Sequence, residues 1–325
     1  MKKLYGARRS RPKKECYKSV IGVDSNVQLV PSLPHFAIIL GMDKTPENEE
    51  KSATIPSSRG KQFFYILKQN WLTIFYVSLL YFVASLPLLF FVGLSYIHYS
   101  ASLEGGSSTG EQLFSLILLT IGISLPCFLF LSIGAAGAYG YFGEALQHND
   151  AGFSSFWKSI KKFWLPFLLL YFAEWVFFAF TLFNYGFYLY VDFSAPAKLA
   201  FLIISCILLF LFALVKPYFV IQILFFKTPF ISLVRNALLL PFTRLFHSLS
   251  TLFVSNLFYV LFLFWPMGYL FILVVLYIIF GGAVSILFSL LFNFSSLEKN
   301  LPKEQLGRLY HVGLNDSLEE EESIH

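Results

Sequence analysis

The sequence predicts an all-α membrane protein with about six transmembrane helices, amphipathic interfacial helices and both termini in the cytoplasm. Of its 325 residues, 57% are hydrophobic and 13% are charged, whereas a soluble domain carries about 25% charged residues. The apolar residues form long runs, and a helix of about 20 such residues crosses the ~30 Å hydrocarbon core of a bilayer. Lysine and arginine are concentrated in every second loop, which sets the direction of each crossing.

Six apolar segments are long enough to span the membrane, and the loops between them give the orientation. Three loops on one side contain a single lysine, Lys198, and no arginine. The loops and tails on the other side contain 13, three, three and three lysines and arginines. Because an excess of these residues stays in the cytoplasm, we expect both termini there. The segments are 71–97, 112–142, 165–190, 199–225, 248–266 and 268–293.

The charge distribution divides the chain into three regions. Residues 1–62 form a basic and polar N-terminal tail, which we predict to be disordered because it buries too little apolar surface. Residues 63–293 form the six-helix transmembrane domain, and residues 294–325 form an acidic cytoplasmic tail. Met42 begins a stretch typical of a bacterial N-terminus, so an over-extended reading frame over 1–41 stays open as an alternative. No cleavable signal peptide is evident, since no apolar region follows the basic start within the first ~30 residues.

The clearest amphipathic segment is FSSFWKSIKKFW at 153–164. Its apolar side chains recur at helical spacing along one stripe, while serines and lysines occupy the other face. This pattern suits a helix that lies in the lipid headgroup region. The stripe contains Phe153, Phe156, Trp157, Ile160, Phe163 and Trp164, and the other face contains Ser154, Ser155, Lys158, Ser159, Lys161 and Lys162.

Weaker amphipathic segments lie at 61–71 and 228–247. The first ends in KQNWL (68–72), which is close in pattern to KKFWL (161–165). We predict a recurring unit, an interfacial helix followed by a transmembrane hairpin, that occurs three times. Composition bias alone is the alternative explanation of the match.

Four glycines, Gly134, Gly137, Gly140 and Gly143, occupy every third position of LSIGAAGAYGYFGEAL (131–146). The spacing and the membrane setting do not fit a dinucleotide fingerprint, which needs G-x-G-x-x-G between a strand and a helix. On a helix each three-residue step shifts the glycine by about −60°, so the four form a broad band that two neighbouring helices approach closely. The alternative is an unwound stretch whose backbone lines a cavity.

Two ionisable side chains, Glu174 and Lys216, lie well inside predicted spans. Each is about nine residues, or ~14 Å, from the cytoplasmic end of its helix. Because an unpaired charge there costs at least ~2.5–3.5 kcal/mol, their equal depth on consecutive helices predicts an ion pair. The pair is a candidate proton or substrate station, and Pro217 frees a backbone carbonyl beside the lysine. A structural ion pair, or a snorkelling Lys216 with a protonated Glu174, remains open.

The sequence offers no pattern for catalysis, a metal, a cofactor or nucleic-acid binding. The six histidines are scattered over tails and loops, and neither H-E-x-x-H nor a phosphate-binding loop occurs. The three cysteines form no C-x-x-C pair. The net charge of +5 belongs to a tail on a membrane-embedded body. We therefore predict a protein that is not an enzyme and whose first partner is the lipid bilayer.

Residues 112–293 resemble the YesL-type family of bacterial integral membrane proteins, a domain of unknown function. The resemblance is carried by SLPCFLFLSIGAAGAYGYF (124–142), GFSSFWKSIKKFW (152–164) and PYFVIQILFFKTPFISLVRNALLL (217–240). The chain departs from the family pattern at Ser132 and Ala135, where the family has threonine and proline, and in its additional span at 71–97. The resemblance implies a multi-pass protein of the bacterial cytoplasmic membrane with an accessory role in carbohydrate import, and it implies no catalytic residue.

Two functions follow as expectations. The first is an accessory or scaffolding protein that contacts a membrane-protein partner, such as a transporter subunit, through its lysine-rich cytoplasmic face. The second is a small secondary transporter or channel whose path passes Glu174 and Lys216. The sequence leaves the oligomeric state open.

Overall fold

A computed structural model describes residues 56–104, 110–148, 151–190, 194–226, 230–257, 261, 270–301 and 303–314. Within these ranges the regular structure is helical and contains no strand, which confirms the predicted all-α class. In chain order the helices are α1 (Arg59–Gln69), α2 (Trp71–Glu104), α3 (Gly110–His148), α4 (Ser154–Tyr190), α5 (Ala195–Phe225), α6 (Phe230–Thr243), α7 (Leu245–Ser255), α8 (Leu270–Leu276), a π-helical turn (Tyr277–Gly281), α9 (Gly282–Asn300), α10 (Lys303–Leu306) and a 3-10 turn (Gly307–Leu309).

Five helices are long and apolar enough to cross a membrane, as expected from their sequences. They are Trp71–Ala101, Gly110–Gln147, Ser154–Tyr190, Ala195–Phe225 and Val274–Asn300. Helices α6 and α7 pass the same test only together, and they are bent by 97° at Arg244. By length and composition alone, the described residues therefore contain five spans, or six if the bent pair counts as one.

The contact between the first described helix and the last span favours the count of six crossings. Arg59, at the start of α1, forms a buried ion pair with Glu298, near the end of α9. The chain thus enters and leaves the bundle on one side, which we call the tail side, and this needs an even number of crossings. Helices α2 to α5 cross four times and return the chain to the tail side. Because α9 ends there, it starts on the far side, and the bent pair α6–α7 is the described segment that can carry the chain toward that side.

Helix α7 continues the chain from the bend along α9. Thr243, the last residue of α6, accepts a hydrogen bond on its Oγ1 from Asn300 Nδ2 at 2.7 Å, and His247 Nε2 of α7 lies 2.9 Å from the carbonyl oxygen of Phe292. From residue 243 to residue 247 the contacts thus move back along α9, so the chain enters α7 antiparallel to α9. The start of the predicted fifth span, 248–266, lies on α7; residues 258–260 and 262–266 of it lie outside the described residues.

The predicted recurring unit, an interfacial helix followed by two spans, stays a prediction, and the order of elements is compatible with it. Helix α1 precedes α2 and α3, and the first turns of α4 precede the rest of α4 and α5. Helix α6 precedes the crossing that α7 begins and the final span. Since α7 runs beside α9 and α6 is bent from it by 97°, α6 lies across the bundle, in the direction of the membrane plane.

Three predicted boundaries differ from the structure. Residues 59–62 belong to α1, and α9 continues past 293 to Asn300. The segment at 153–164 is not a separate helix, because α4 runs from Ser154 to Tyr190 through Pro166. Its 37 residues extend ~55 Å at 1.5 Å per residue, well beyond the ~30 Å hydrocarbon core. The first turns of α4 therefore lie outside that core.

A polar network that we call the terminal clamp explains the first two differences. The Arg59 guanidinium binds both carboxylate oxygens of Glu298, and its Nη1 donates to Gln62 Oε1 at 2.6 Å. The same Nη1 donates to the carbonyl oxygen of Val312 at 2.7 Å, and the His311 N–H donates to Glu298 Oε1 at 3.1 Å. The segment 301–314 is thereby folded back on the bundle and is not a free tail.

The buried core is densest at the tail side. There the ends of three spans meet α1 and the segment 301–314, and their large side chains are almost fully buried. Many apolar side chains of the spans face outward, as expected where lipid is the solvent. The buried tail-side residues include Ile66, Tyr141, Phe142, Leu146, Tyr218, Ile221, Phe294, Leu297 and Leu306.

We predict that Glu298→Gln lowers the stability of the protein in mild detergent by about 3–5 kcal/mol, because it leaves the Arg59 guanidinium buried without its counter-charge. The midpoint of thermal unfolding, followed by tryptophan fluorescence, measures the effect. The double variant Arg59→Met with Glu298→Gln should recover most of the loss. Lys61→Met, an exposed change on the same helix, is the matched control. A Glu298→Gln midpoint equal to that of the unmodified protein would contradict the clamp.

We also predict that both termini lie on the cytoplasmic side. Green fluorescent protein fused to either terminus should fluoresce, and alkaline phosphatase fused at these positions should be inactive. Alkaline phosphatase fused after Tyr190, on the far side, should be active. Termini that report opposite sides would mean an odd number of crossings.

Candidate functional site

The four glycines of α3 lie at close contacts with three neighbouring helices. A Cβ on Gly134 would collide with the Ala84 side chain of α2, and one on Gly140 would collide with Ser159 of α4. A Cβ on Gly137 would lie 2.6 Å from the Phe156 ring of α4, and one on Gly143 would lie 3.5 Å from Leu224 of α5.

The glycine band is therefore a packing surface, which is the first of the two interpretations of its spacing. Residues 131–146 are helical throughout, so the alternative of an unwound stretch does not hold. Because each three-residue step turns the glycine position by about −60°, the four glycines contact three neighbouring helices, whereas the sequence predicted two. Gly137 and Gly140 together allow the first turns of α4 to pack closely against α3. This contact positions the amphipathic segment 153–164.

The predicted apolar stripe of the first turns of α4 is partly buried in the protein and partly exposed. Phe156 is buried against Gly137, whereas Phe153, Trp157 and Trp164 are exposed. Ser155 and Ser159, predicted on the polar face, are buried. At Ser159 the reason is that glycine at position 140 leaves room for a small polar side chain.

The three lysines of this segment, Lys158, Lys161 and Lys162, are exposed beside the tryptophans. We call this surface the cationic edge. The Lys162 Nζ lies 4.7 Å from the centre of the Phe163 ring, a favourable cation–π arrangement. A similar pattern occurs where α1 meets α2, with Lys68, Trp71 and Leu72 exposed. Exposed lysine and tryptophan at a helix entry are typical of the membrane–water interface.

Glu174 of α4 and Lys216 of α5 form an ion pair. The Lys216 Nζ lies 2.9 Å from Oε1 and 2.7 Å from Oε2 of Glu174, and 4.1 Å from the centre of the Tyr171 ring. The lysine therefore binds the carboxylate and does not extend toward the membrane surface. The side chains are 18% exposed for Lys216 and 25% exposed for Glu174, so the pair is only partly enclosed.

The pair lies within the apolar layer. Glu174 is ten residues beyond the exposed Trp164, or ~15 Å along the helix. On α5, Tyr218 lies two residues nearer the tail side than Lys216. Its hydroxyl shares a 2.7 Å hydrogen bond with Ser248, which lies four residues beyond the bend at Arg244. Lys216 is therefore deeper in the bundle than this contact. The ~15 Å distance from Trp164 places the charges inside the ~30 Å hydrocarbon core. Ionised side chains are costly there and are typically functional.

The outer stripe of α4 points away from the pair. Leu169, Phe172, Val176 and Phe180 are exposed and recur at spacings of three and four residues, which marks one face of the helix. Glu174 is two residues after Phe172, and at 100° per residue it lies about 200° around the helix from that side chain. The carboxylate is therefore on the side opposite the outer stripe.

Two neighbouring helices flank that opposite side. Trp175 Nε1 donates to Ser124 Oγ of α3 at 3.0 Å, and the rings of Phe177 and Phe212 of α5 are 4.9 Å apart. In angle around α4, Glu174 falls between these contacts. The Glu174 side chain consequently projects from α4 between α3 and α5, toward the inside of the bundle.

The sequence prediction missed the terminal clamp, although it is the most connected polar cluster described. Arg59 and Glu298 were assigned to tails because their sequence neighbours are polar. The sequence indicates the position of Arg59 only by helical spacing, because Arg59, Gln62 and Ile66 fall on one helix face. All three side chains are buried in the structure. Among the described residues, no three His, Cys, Asp or Glu side chains are grouped to hold a metal ion.

Comparison of the chain with protein-family models, curated proteins and solved structures gives no match. The resemblance of residues 112–293 to the YesL-type family therefore stays a prediction, and function has to be argued from the residues themselves.

We predict that Gly140→Ala lowers the yield of folded protein and destabilises it by about 1–3 kcal/mol, because the new methyl group overpacks the contact with Ser159. Gly122→Ala, on the same helix, is the matched control because a Cβ there meets nothing within 4 Å. That change should be neutral or slightly stabilising. Monodispersity on gel filtration and the thermal midpoint measure both. Equal behaviour of the two variants would contradict the packing role.

Proposed function

We propose that this chain is an accessory or scaffolding component of a membrane system and that its tail side is the contact surface for a membrane-protein partner. The observation that supports this most strongly is the cationic edge. Lys158, Lys161 and Lys162 are exposed, while the opposite face of the same turns is held by Gly137 and Gly140. A cationic surface on a rigid support gives orientation and selectivity to association.

The dense tail-side core adds to this proposal. A scaffold has to keep its contact surface in place, and the buried contacts among α1, α3, α5, α9 and the segment 301–314 do so. The resemblance to the YesL-type family supports a partner in carbohydrate uptake and a location in the bacterial cytoplasmic membrane.

A second function, a small secondary transporter or channel, is supported by one separate observation. Glu174 and Lys216 form an ion pair within the apolar layer that faces the inside of the bundle. Intramembrane charges placed in this way commonly mark substrate or ion pathways. Flux of a labelled solute into sealed liposomes, compared between the unmodified chain and variants of Glu174 and Lys216, tests this function.

We predict that reversing the cationic edge, with Lys158→Glu, Lys161→Glu and Lys162→Glu together, reduces recovery of a stoichiometric partner by about tenfold or more, since complementary charge becomes repulsion. Affinity purification from native membranes in mild detergent measures the recovery. Lys198→Glu, on the far side, should recover the partner as the unmodified protein does. The thermal midpoint of the triple variant should be unchanged, because the lysines are exposed. Failure to recover any stoichiometric partner with the unmodified chain would contradict the proposal.

A further inference from the structure

We propose that the Glu174–Lys216 pair is an intramembrane binding site for a small zwitterion, a solute that carries one ammonium and one carboxylate group. The site is the same one that supports the second proposed function, and the inference goes beyond both functions by naming the chemical class of the ligand. It does not require the chain to transport that ligand.

The balance of charge at the site selects this class. A monoanion that binds Lys216 would displace Glu174 and leave its carboxylate without a counter-charge in the apolar layer. A monocation at Glu174 would leave the Lys216 ammonium in the same position. A zwitterion compensates both, because its ammonium binds the carboxylate and its carboxylate binds the ammonium. Since uncompensated charges are strongly disfavoured at this depth, a net-neutral dipolar ligand is favoured over either ion.

The geometry of the pair provides places for both groups of the ligand. The Lys216 Nζ lies 2.9 and 2.7 Å from the two carboxylate oxygens, so an inserted ammonium can take over the position at Glu174. That position is 4.1 Å from the centre of the Tyr171 ring, whose face attracts cations. The displaced Lys216 ammonium then binds the ligand carboxylate.

The pair is also reachable. The side chains of Lys216 and Glu174 are 18% and 25% exposed, in contrast to 7% for each partner of the Arg59–Glu298 pair. Glu174 projects from α4 on the side opposite the outer stripe, between α3 and α5. In the absence of ligand the two side chains satisfy each other, which keeps the empty site stable within the apolar layer.

The experiment uses the purified full-length chain in mild detergent and compares each zwitterion with its separated charges. Glycine, β-alanine and betaine are the zwitterions; acetate and methylammonium, alone and together, are the controls. We expect at least one zwitterion to raise the thermal midpoint saturably and the separated ions to have no such effect. This comparison needs no variant. An equal response to the separated ions, or no response to any of the three zwitterions, would overturn the proposal.

Two variants then locate the site. Glu174→Gln and Lys216→Met should each weaken zwitterion binding by about tenfold or more. Glu174→Gln should instead gain a response to acetate, and Lys216→Met should gain one to methylammonium. Lys198→Met, elsewhere on α5, should bind as the unmodified chain does. A zwitterion response retained in both single variants would place binding elsewhere and refute the assignment.

Uptake of the labelled zwitterion into sealed liposomes separates this inference from the second proposed function. Saturable binding without uptake supports the site and counts against transport. Binding with uptake that is lost in both variants supports both. Uptake without binding at this pair overturns the inference while leaving transport in place. None of these outcomes bears on the scaffolding role, which affinity purification tests independently.

Discussion

The buried contact between Arg59 and Glu298 is the constraint on which the rest of the arrangement depends. Taking two charges out of water is costly, and only good geometry with additional hydrogen bonds offsets that cost. Here Gln62, Val312 and His311 supply those bonds. The start of α1 and the end of the last span, α9, are thus fixed together, which favours an even number of crossings. Residues 303–314 become part of the tail-side core.

Much of the fold is predictable from hydropathy and charge because the bilayer imposes a simple requirement. Each span has to be apolar over about 20 residues, and the alternation of lysine-poor and lysine-rich loops is preserved only with six crossings. The amphipathic segments at 153–164 and 228–247 follow from helical periodicity for the same reason. Both Glu174 and Lys216 are conspicuous because ionised residues are rare within spans.

The features that hydropathy and charge did not predict depend on contacts between residues far apart in the sequence. Arg59 and Glu298 are 239 residues apart, and each lies among polar neighbours typical of a tail. Ser155 and Ser159 belong to a polar face by periodicity alone, yet both are buried, and Ser159 is buried because Gly140 provides space on another helix. The glycine spacing predicts close approach, but only the three-dimensional arrangement shows that Gly134, Gly137 and Gly143 meet different helices.

Two ion pairs lie among the described residues, and their settings differ, from which we infer different roles. The Arg59 guanidinium binds its carboxylate, a side-chain amide and a backbone carbonyl, and its partner accepts a backbone N–H; the cluster is closed and buried. The Lys216 ammonium binds a carboxylate beside an aromatic face, and both side chains remain partly exposed. Opening the first pair would also release the backbone contacts at His311 and Val312. Opening the second exchanges the contact between Lys216 and Glu174 for two contacts with a ligand that brings charges of both signs.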